Sequence, residues 1–572
     1  MAEFQSPVQL PHIPDNLTIP QFILDIGSRQ RPQRMADTPF FVEDATGRQI
    51  HFPEVHKRTS GLANALHRKW RIGTSDVVCL FSPNHIDYPI AIWAVHSLGG
   101  IITPANPSYT VEELIHQLNL TKSVMMIIHP SSLGTALKAA EAVGLAEDRI
   151  ITFNQIDGLV NSTATVDELI AFGLNEKVEY KAQRLEPGEG KTKLAFLSFS
   201  SGTTGRPKAV EISHYAVIAN VIQTATHYRV NDPLWKEKRM NPGDVGLAVL
   251  PFFHIYGLVV ILHYLLFCGM SLVIVPKFNF PRFLRSIVLH RVSHLYLVPP
   301  QVVLLCKNPA AKDYNLDGIK FCNSGGAPLS GDLMKQLTQI LPNAVIGQGY
   351  GLTETCTTVS SIPPDRRLGV IGAAGQLLPG LIARVVKEDG TLAAEGEQGE
   401  LIVKGPSMAL GYFNNLEATK ETFVNGWVHT GDEVMIKDLQ VYVVDRLKEI
   451  MKVRGFQVAP AELEGHLLLH PDVADACVVG VPDDYSGEVP LAFIVPTPSA
   501  LNHIIRNATE ANTLKRSIAK HVSEVKISYK WLKGGVEFVD AIPKNPSGKI
   551  LRRILRDRAR EMVKKGRLEA KL

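Results

Sequence analysis

The stretch of sequence that decides the fold reads Ser198-Phe199-Ser200-Ser201-Gly202-Thr203-Thr204-Gly205-Arg206-Pro207-Lys208. It follows an apolar, β-rich run at residues 194–199 and precedes a helical pattern at residues 215–226. Its hydroxyls and glycines offer many O–H and backbone N–H donors, and Lys208 adds a positive charge, which is typical of a phosphate cradle. It is not a Walker A loop, because the spacing after Gly202 differs and no serine or threonine follows Lys208.

Outward from this loop, short apolar runs alternate with helical patterns. The runs predict strands at residues 77–81, 124–128, 194–199, 245–250, 272–275 and 295–298. The helical patterns lie at residues 86–98, 111–118, 136–143, 215–226 and 331–340. Such alternation predicts mostly parallel sheets that are covered by helices on both faces and bind ligands at the carboxyl ends of their strands.

The pattern of predicted secondary structure changes twice after this region. Short strands among Asp, Gly and Asn turns, at residues 383–387, 400–404, 434–437 and 441–444, predict a small β-rich module at about residues 380–445. Beyond it, the sequence predicts a short strand at 449–453, a helix from Pro460, strands near 476–479 and 491–495, and a basic helix from Ile550. We therefore predict an α/β fold with a large N-terminal domain, residues 1–445, and a smaller, mobile α+β C-terminal domain, residues 446–572.

Composition excludes several classes of protein. The 572 residues are 45% hydrophobic and 20% charged with a net charge of +4, which is typical of a globular protein and gives no reason to expect nucleic-acid binding. The six cysteines are scattered without metal-binding spacing, so we expect buried, reduced thiols in an intracellular protein. No basic region followed by an apolar stretch opens the chain, so we expect no signal peptide.

Residues 245–276 carry no charge and are long enough to cross a bilayer. Pro251, Gly257 and Gly269 interrupt the segment where an α/β fold needs breaks. We favour a strand at 245–250, a helix at 252–267 that ends at a left-handed Gly269, and a second strand at 271–275 over a membrane span.

A second motif, Gly347-Gln348-Gly349-Tyr350-Gly351-Leu352-Thr353-Glu354, surrounds one aromatic ring with glycines. A planar base can lie against such exposed backbone and stack on Tyr350. Thr353 and Glu354 offer hard oxygen atoms to phosphate and Mg²⁺. The spacing is not that of a Rossmann dinucleotide loop.

With three further motifs, these two loops resemble the acyl-CoA synthetase family of adenylate-forming enzymes, and most closely its 4-coumarate–CoA ligase-like branch. The three motifs read WVHTGD at residues 427–432, VDRLKEIMKVRGFQVAPAELE at 444–464 and PKNPSGK at 543–549. The resemblance implies an enzyme that makes an acyl adenylate from a carboxylate and Mg·ATP, releases pyrophosphate and transfers the acyl group to coenzyme A. It also implies a place in secondary metabolism.

The resemblance assigns roles to individual residues. The implied contacts to ATP or AMP are Ser200, Ser201, Gly202, Thr203, Thr204, Gly205, Lys208, Gly326, Gln348, Gly349, Tyr350, Thr353, Asp432 and Arg446. The implied Mg²⁺ ligand is Glu354. Contacts to coenzyme A are implied for Lys277, Arg454 and Gly455, although the family often has lysine at the position of Arg454. The implied acyl pocket is His254, Tyr256, Val260, Asn323 and Gly351.

Four residues of the C-terminal region have implied catalytic roles. Lys549 resembles the family's mobile catalytic lysine, and its charge is suited to the negative charge that builds up when a carboxylate attacks the α-phosphate. Lys448 lies where the family hinges, and Lys452 and Gln457 resemble residues that reach the site in a second conformation. We expect His254 to line the pocket rather than act as a base, because the acid is already ionised at neutral pH.

These observations predict an ATP-dependent carboxylate–CoA ligase for an aryl or medium-chain acid, with ATP, Mg²⁺ and coenzyme A as the small molecules it requires. An alternative within the family passes the acyl group to a carrier protein or oxidises it, as luciferases do. A non-catalytic relative and a serine hydrolase fit less well, since Lys208, Glu354 and Lys549 are all present and no G-x-S-x-G motif occurs. Ala570-Lys571-Leu572 resembles the Ser-Lys-Leu peroxisomal signal, so we expect recognition by a peroxisomal import receptor.

Overall fold

The structure is a computed structural model that describes residues 3–24, 31–155, 163–200, 207–454, 456–483, 485–506, 508–545 and 548–565.

Two seven-stranded sheets form the centre of the molecule. The first contains, in spatial order, Gly411–Tyr412, Lys208–Ser213, Leu194–Ser200, Ile101–Ala105, Val77–Phe81, Met125–Ile128 and Ile150–Thr152. The second contains Val345–Gln348, Phe321–Ser324, His294–Leu297, Val245–Ala248, Ser271–Ile274, Phe41–Glu43 and Gln49–Ile50. Most neighbours pair in parallel, and the central strands, such as Val77–Phe81 and Phe321–Ser324, are fully buried because helices cover both faces.

A third sheet has nine strands, and its neighbouring strands pair antiparallel. Its strands, in spatial order, are Phe4–Gln5, Ile382–Val386, Gln398–Lys404, Trp427–Lys437, Gln440–Arg446, Gln376–Leu377, Thr357–Ser361 and Tyr350–Leu352, with Phe423–Val424 beside Trp427–Lys437. The sheet therefore begins in the sequence at Tyr350–Leu352, about 30 residues before the predicted module, and it also includes the N-terminal strand Phe4–Gln5. These early strands are short and lie between loops, which explains why the pattern after residue 380 alone was prominent.

The C-terminal unit, which we define as residues 451–565, has its own five-stranded sheet. Its strands, in spatial order, are Phe456–Val458, Met451–Val453, Gly487–Pro496 and Val473–Asp483, with Gly535–Phe538 beside Gly487–Pro496. Two hydrophobic clusters on the two faces of this sheet are built from residues of the unit alone.

Helices pack on these sheets. In the first 446 residues they are Ile19–Leu24, Phe52–Trp70, Tyr88–Ser97, Val111–Thr121, Leu133–Val143, Val166–Asn175, His214–His227, Tyr256–Tyr264, Leu265–Phe267, Phe280–Leu289, Pro299–Lys307, Gly331–Ile340 and Leu416–Thr422. In the C-terminal unit they are Pro460–Leu467, Pro498–Arg506, Ala508–Ser523 and Arg552–Lys564. Short 3₁₀ turns lie at Pro130–Ser132, Glu147–Arg149, Glu189–Lys191, Pro309–Asp313, Thr353–Thr355 and Ser528–Lys530.

The uncharged segment 245–276 is folded into the second sheet, as the sequence predicts. It forms the strand Val245–Ala248, a helix and the strand Ser271–Ile274, and Gly269 has the expected left-handed φ of 79°. The helix differs from the prediction, because it begins at about residue 255 and is a π-helix over Tyr256–Tyr264. In the described residues no helix combines the length and the hydropathy needed to cross a membrane.

The C-terminal unit contacts the rest of the protein at several points. Lys307 donates hydrogen bonds to the backbone carbonyls of Leu468 and Val473, the latter at 3.0 Å. The carboxylate of Asp445 accepts from the backbone N–H of Ala461 at 3.0 Å. These contacts join the C-terminal unit to the large N-terminal part.

Candidate active site

Two strands flank the motif at residues 198–208: Leu194–Ser200 ends at Ser200, and Lys208–Ser213 begins at Lys208. Ser200 and Lys208 are cross-strand partners of the antiparallel pair Leu194–Ser200 and Lys208–Ser213. The second strand was not predicted from the sequence, because Lys208 and Glu211 interrupt its apolar residues. Five expected phosphate contacts, Ser201, Gly202, Thr203, Thr204 and Gly205, lie outside the described residues.

Lys208 and Glu354 meet at one tyrosine. The Lys208 ammonium lies 4.6 Å from the ring centroid of Tyr412, and the Tyr412 hydroxyl donates a hydrogen bond of 2.8 Å to Oε1 of Glu354. Burial, together with the charge of Glu354, raises the pKa of Tyr412, so the hydroxyl stays protonated and remains a donor. Tyr412 therefore joins the two motifs, although sequence reasoning missed it.

The second carboxylate of the site is almost completely buried. Asp432 is 3% exposed, and its oxygens accept from the Arg446 guanidinium at 2.8 Å and from the Tyr350 hydroxyl at 2.6 Å. Burial raises the pKa of Asp432, while the Arg446 charge and the Tyr350 hydrogen bond act in the opposite direction. Asp432 and Arg446 are cross-strand partners in the antiparallel sheet, which fixes their mutual position.

Lys549 reaches this cluster from the C-terminal unit. Its loop is closed by hydrogen bonds of 2.8 Å, one from the Lys549 N–H to the Asn545 side chain and one from the Asn545 N–H to the Lys549 carbonyl. Burial, followed by the nearby Arg446, lowers the pKa of Lys549, whereas the charges of Asp432, Glu449 and Glu354 raise it. Lys549 thus lies near enough to Asp432, Arg446 and Glu354 for their charges to act on its ammonium.

Three expected adenine contacts lie at the ends of parallel strands. The side chain of Gln348 is occupied by the backbone of Leu329, whose N–H it accepts at 2.7 Å and whose carbonyl it bonds at 3.2 Å. Its contribution to a nucleotide site is therefore limited to its backbone. Gly326 has a left-handed φ of 84°, and a Cβ at Gly349 would lie 3.0 Å from the Asn323 amide nitrogen.

Of the expected acyl-pocket residues, His254 lies close enough to Lys549 for the lysine charge to act on it. The pKa of His254 is lowered to about 4, mainly by burial and further by the Lys549 charge, so its ring is neutral near pH 7. Tyr256 opens the π-helix, a form often found at functional sites, and its hydroxyl lies 3.4 Å from the Asn323 carbonyl. Val260 is buried farther along the same helix.

Gly351 allows two strands to approach closely. A Cβ at this position would lie 1.5 Å from the Thr357 carbonyl oxygen, so a larger residue cannot fit without moving the backbone. Gly351 follows Tyr350 at an irregularity in the pairing of Tyr350–Leu352 with Thr357–Ser361. Thr353 comes next, in the 3₁₀ turn Thr353–Thr355 that presents Glu354.

Among the described residues, no hydrogen bond or ion pair joins the expected catalytic residues Lys448, Lys452 and Gln457 to the Asp432 carboxylate. Lys448 is exposed in the turn that follows the strand Gln440–Arg446. Lys452 and Gln457 pair across a hairpin of the C-terminal unit, where Lys452 lies 3.1 Å from Glu388. The Gln457 amide nitrogen, in its satisfied orientation, lies 2.8 Å from Glu433.

The expected coenzyme A contacts are not brought together by any contact among the described residues. Lys277 is exposed after the strand Ser271–Ile274. Arg454 lies on the C-terminal unit, where its guanidinium is 4.8 Å from the ring centroid of Tyr485. Gly455 lies outside the described residues.

Sequence reasoning also missed the ion-pair network that supports Lys549. Arg552 is 7% exposed and donates to Glu464 and, at 3.0 Å, to Glu449. It also donates to the Val478 carbonyl at 3.1 Å. Arg552 thereby connects the start of the C-terminal helix to three other segments, and Glu449 in turn acts on Lys549.

Two comparisons identify the family. Residues 28–413 match the model described as AMP-binding enzyme, and residues 462–549 match the model described as AMP-binding enzyme C-terminal domain. The chain belongs to the AMP-binding enzyme family. The 4-coumarate–CoA ligase 2 of Oryza sativa subsp. japonica is 35% identical to this AMP-binding enzyme over 540 residues, which cover 92% of this chain and 90% of that protein.

Solved structures agree with this assignment. ATP-bound MatB from Rhodopseudomonas palustris is 26% identical, with a TM-score of 0.78 and coverage of 96% of this chain and 100% of that chain. The anthranilate CoA ligase AuaEII in complex with anthranoyl-AMP shares the fold, with a TM-score of 0.82 at 23% identity and coverage of 97% and 99%. The predicted family, α/β fold class and enzyme class, an AMP-forming acid–thiol ligase that uses ATP and coenzyme A, are confirmed.

Proposed function

We propose that this AMP-binding enzyme joins an aryl or medium-chain carboxylic acid to coenzyme A in two steps. In the first step a carboxylate oxygen of the acid bonds to the α-phosphorus of ATP, and pyrophosphate leaves with the electron pair of the broken P–O bond. In the second step the coenzyme A sulfur bonds to the carbonyl carbon of the acyl adenylate, and AMP leaves. The thiol proton passes to solvent or to the leaving phosphate.

The observation that carries this proposal is that Lys549 lies near enough to Asp432 and Glu354 for both carboxylates to act on its ammonium. These residues come from a loop of the C-terminal unit, an antiparallel strand and a 3₁₀ turn, and their charges all act on the Lys549 ammonium. A site that only bound an acyl group would not need a half-buried lysine facing the nucleotide motifs.

In the first step, charge placement explains how these residues promote the attack. The acid and the triphosphate are both anionic, and negative charge shifts toward the pyrophosphate as it leaves. Lys549 offsets that charge, and its loop is stiffened by the two Asn545 hydrogen bonds, so little reorganisation is needed. Asp432 can still accept the ribose hydroxyl hydrogens, because each carboxylate oxygen has two acceptor sites.

Mg²⁺ fits this site through one carboxylate. Oε1 of Glu354 accepts from Tyr412, and Oε2 accepts no hydrogen bond from any residue that the structure describes. Among the described residues no group of three or more His, Cys, Asp or Glu could hold a metal by itself. Glu354 together with phosphate oxygens would supply hard ligands, and the ion would neutralise phosphate charge.

The acyl pocket supports an aryl or medium-chain acid. The pocket residues that we propose are neutral, with His254 uncharged and Tyr256 held protonated by burial. The aromatic ring of Tyr256 and the buried Val260 suit an apolar acyl group. The 4-coumarate–CoA ligases among the relatives point to the same substrate class.

We propose residues 1–445 and 446–572 as two domains that rotate at Lys448 between the steps. The support is that the C-terminal unit has its own sheet and its own core, while Lys452 and Gln457 lie outside the site in the described conformation. Rotation would bring their hairpin to the adenylate and Arg454 and Gly455 to coenzyme A, with Lys277 on the other side.

The direct test of function is a panel of carboxylic acids assayed by AMP release with and without coenzyme A. We expect AMP release to depend on coenzyme A and an acyl-CoA thioester to form with an aryl or medium-chain acid. AMP release without thioester formation would favour transfer to a carrier protein or oxidation of the acyl group. Activity that survives removal of Mg²⁺ by a chelator would contradict the role of Glu354.

Peroxisomal import through Ala570-Lys571-Leu572 stays a prediction, since these residues lie outside the described part of the chain. A fluorescent fusion that lacks the tripeptide should lose a punctate distribution. An unchanged distribution would contradict the prediction.

A further inference from the structure

A cleft of about 270 Å³ lies outside the proposed active site, and its lining is rich in positive charge. We call it the cationic cleft and define it by its five basic residues, Lys238, Arg239, Lys320, Arg366 and Arg367. Only two acidic residues, Glu237 and Asp365, line it as well. Its volume is just below the roughly 300–1,000 Å³ of common ligand pockets, so it suits a small molecule.

The positive charge of the cationic cleft exceeds the negative charge around it. Within the described residues, Lys320 has a carboxylate partner, Asp244 at 2.7 Å, and none of the other four basic residues has a carboxylate oxygen within 4.0 Å. Because like charges repel, an excess of cations over the lining carboxylates Glu237 and Asp365 favours the binding of an anion.

Arg239 gives the clearest sign of a missing anion. It is 9% exposed, its Nη1 is buried without a hydrogen-bond partner, and its Nη2 donates only to the Arg366 carbonyl. Burial lowers its pKa, and the charges of Asp365 and Glu237 offset this only in part. The buried arginines Arg446 and Arg552, in contrast, have carboxylate partners that raise their pKa above the ordinary value. A buried guanidinium without a carboxylate is suited to an external anion, which it can bind through two parallel hydrogen bonds.

The cleft lies at the opposite end of the second sheet from the nucleotide motifs. Lys320 immediately precedes the strand Phe321–Ser324, and Val345 begins the strand Val345–Gln348 that ends in the Gly-rich motif. Three residues of extended strand separate the two ends by roughly 10 Å. The cleft is therefore separate from the site of Lys549, although one strand connects them.

We propose that the cationic cleft binds a small molecule that carries two phosphate groups. Two adjacent arginines, Arg366 and Arg367, stand at its exposed rim, and Arg239 and Lys320 line it from two other segments. Arginine is favoured for phosphate because its planar fork matches two phosphate oxygens. Several cations around one small volume favour a compact anion with more than one charged group.

Calorimetric titration of the full-length protein tests this proposal. Pyrophosphate is the probe, and the protein is first saturated with α,β-methylene-ATP so that the ATP site is filled. The variant Arg366→Ala/Arg367→Ala removes the exposed rim, and Arg285→Ala/Lys335→Ala removes the same charge from exposed positions on two helices away from the cleft. A sugar bisphosphate is titrated in parallel to separate the reaction's own product from a phosphorylated metabolite.

We expect one binding event in the parent protein, at least tenfold weaker binding in Arg366→Ala/Arg367→Ala and no change in the control variant. Tighter binding of pyrophosphate would identify the product as the ligand, and tighter binding of the sugar bisphosphate would identify a metabolite. No binding of either probe, or equal binding by both variants, overturns the proposal. The proposal rests on the difference in probe binding between the cleft variant and the control variant. This difference can be measured even if α,β-methylene-ATP does not bind, so a failure of the proposed function can be told apart from a failure of the cleft proposal.

Discussion

Replacing Tyr412 by phenylalanine tests whether Lys208 and Glu354 form one phosphate site. The Tyr412 hydroxyl donates to Oε1 of Glu354 at 2.8 Å, while the ring lies 4.6 Å from the Lys208 ammonium. Tyr412→Phe removes the hydrogen bond and keeps the ring. If Glu354 acts on Mg·ATP, the carboxylate should then be less well oriented toward the phosphates.

The expected magnitude follows from the geometry. A hydrogen bond to a charged group contributes about 1.5–3 kcal/mol. Glu354 is only half-buried, so water can replace part of the lost bond, and we expect the lower end of this range. A loss of about 1.4 kcal/mol corresponds to a tenfold change. Tyr412→Ala should cost about 0.5–1 kcal/mol more, because the cation–π contact with Lys208 is lost as well.

The assay is ATP–pyrophosphate exchange with an accepted acid, in which kcat/KM for Mg·ATP is measured. Tyr442→Phe is the matched control, since this tyrosine of the antiparallel sheet has no hydroxyl hydrogen bond in the described structure. In a Glu354→Gln background, Tyr412→Phe should have a smaller effect, because the two residues act as a pair. Parent-like kcat/KM in Tyr412→Phe, or full additivity with Glu354→Gln, would refute the reasoning.

Three further predictions concern stability. Arg552→Met should lower the free energy of unfolding by about 3–5 kcal/mol, because the Glu464 carboxylate stays buried without its partner. The control is Arg553→Met, which changes the exposed neighbouring residue. A denaturant titration that shows the same loss of unfolding free energy for both variants would contradict the prediction. Acidification below about pH 6.5 should destabilise the protein, because histidines of the unfolded chain gain protons near that pH. The folded state keeps the pKa of His96 at about 3 and that of His263 at about 4, so these two rings stay neutral. A urea midpoint that stays constant down to about pH 5 would count against this prediction. Gly351→Ala should lower the melting temperature, because the added Cβ would lie 1.5 Å from the Thr357 carbonyl oxygen, at a cost of about 1–3 kcal/mol. The control Gly134→Ala, where nothing lies within 4 Å of the added Cβ, should be neutral or stabilising. Equal effects of the two changes on the melting temperature would exclude this explanation.

The buried parallel strands could be predicted well from the sequence. The strand Val77–Phe81 and the helix Gly331–Ile340 have the predicted bounds, because a strand covered on both faces is a continuous apolar run and the helix has a clear apolar period. The two-residue pairing of Phe4–Gln5 with Ile382–Val386 could not be predicted, since it is local to neither segment. The π-helix Tyr256–Tyr264 has no sequence pattern that separates it from an α-helix.

The residues of the candidate active site could be predicted from the sequence only where they belong to a motif. Lys549, Asp432 and Glu354 each lie in a recognisable motif, and in the structure the charges of both carboxylates act on Lys549. Tyr412 lies on a two-residue edge strand with no charge in it, so only its three-dimensional contacts with Glu354 and Lys208 reveal it. The partners of Arg552 are equally inaccessible, because its contacts are 88 and 103 residues away in the chain.

The most direct measurement compares the two half-reactions in Lys549→Ala. We predict that ATP–pyrophosphate exchange falls by about 10²–10³ in kcat, as expected for loss of one preorganised charge contact in the transition state. Conversion of chemically prepared acyl adenylate to acyl-CoA should stay within a few-fold of the parent rate, and Lys533→Ala, an exposed lysine of the same unit, should leave both reactions unchanged. Unchanged exchange in Lys549→Ala, or an equal fall in both half-reactions, would contradict the central claim that this lysine serves adenylate formation.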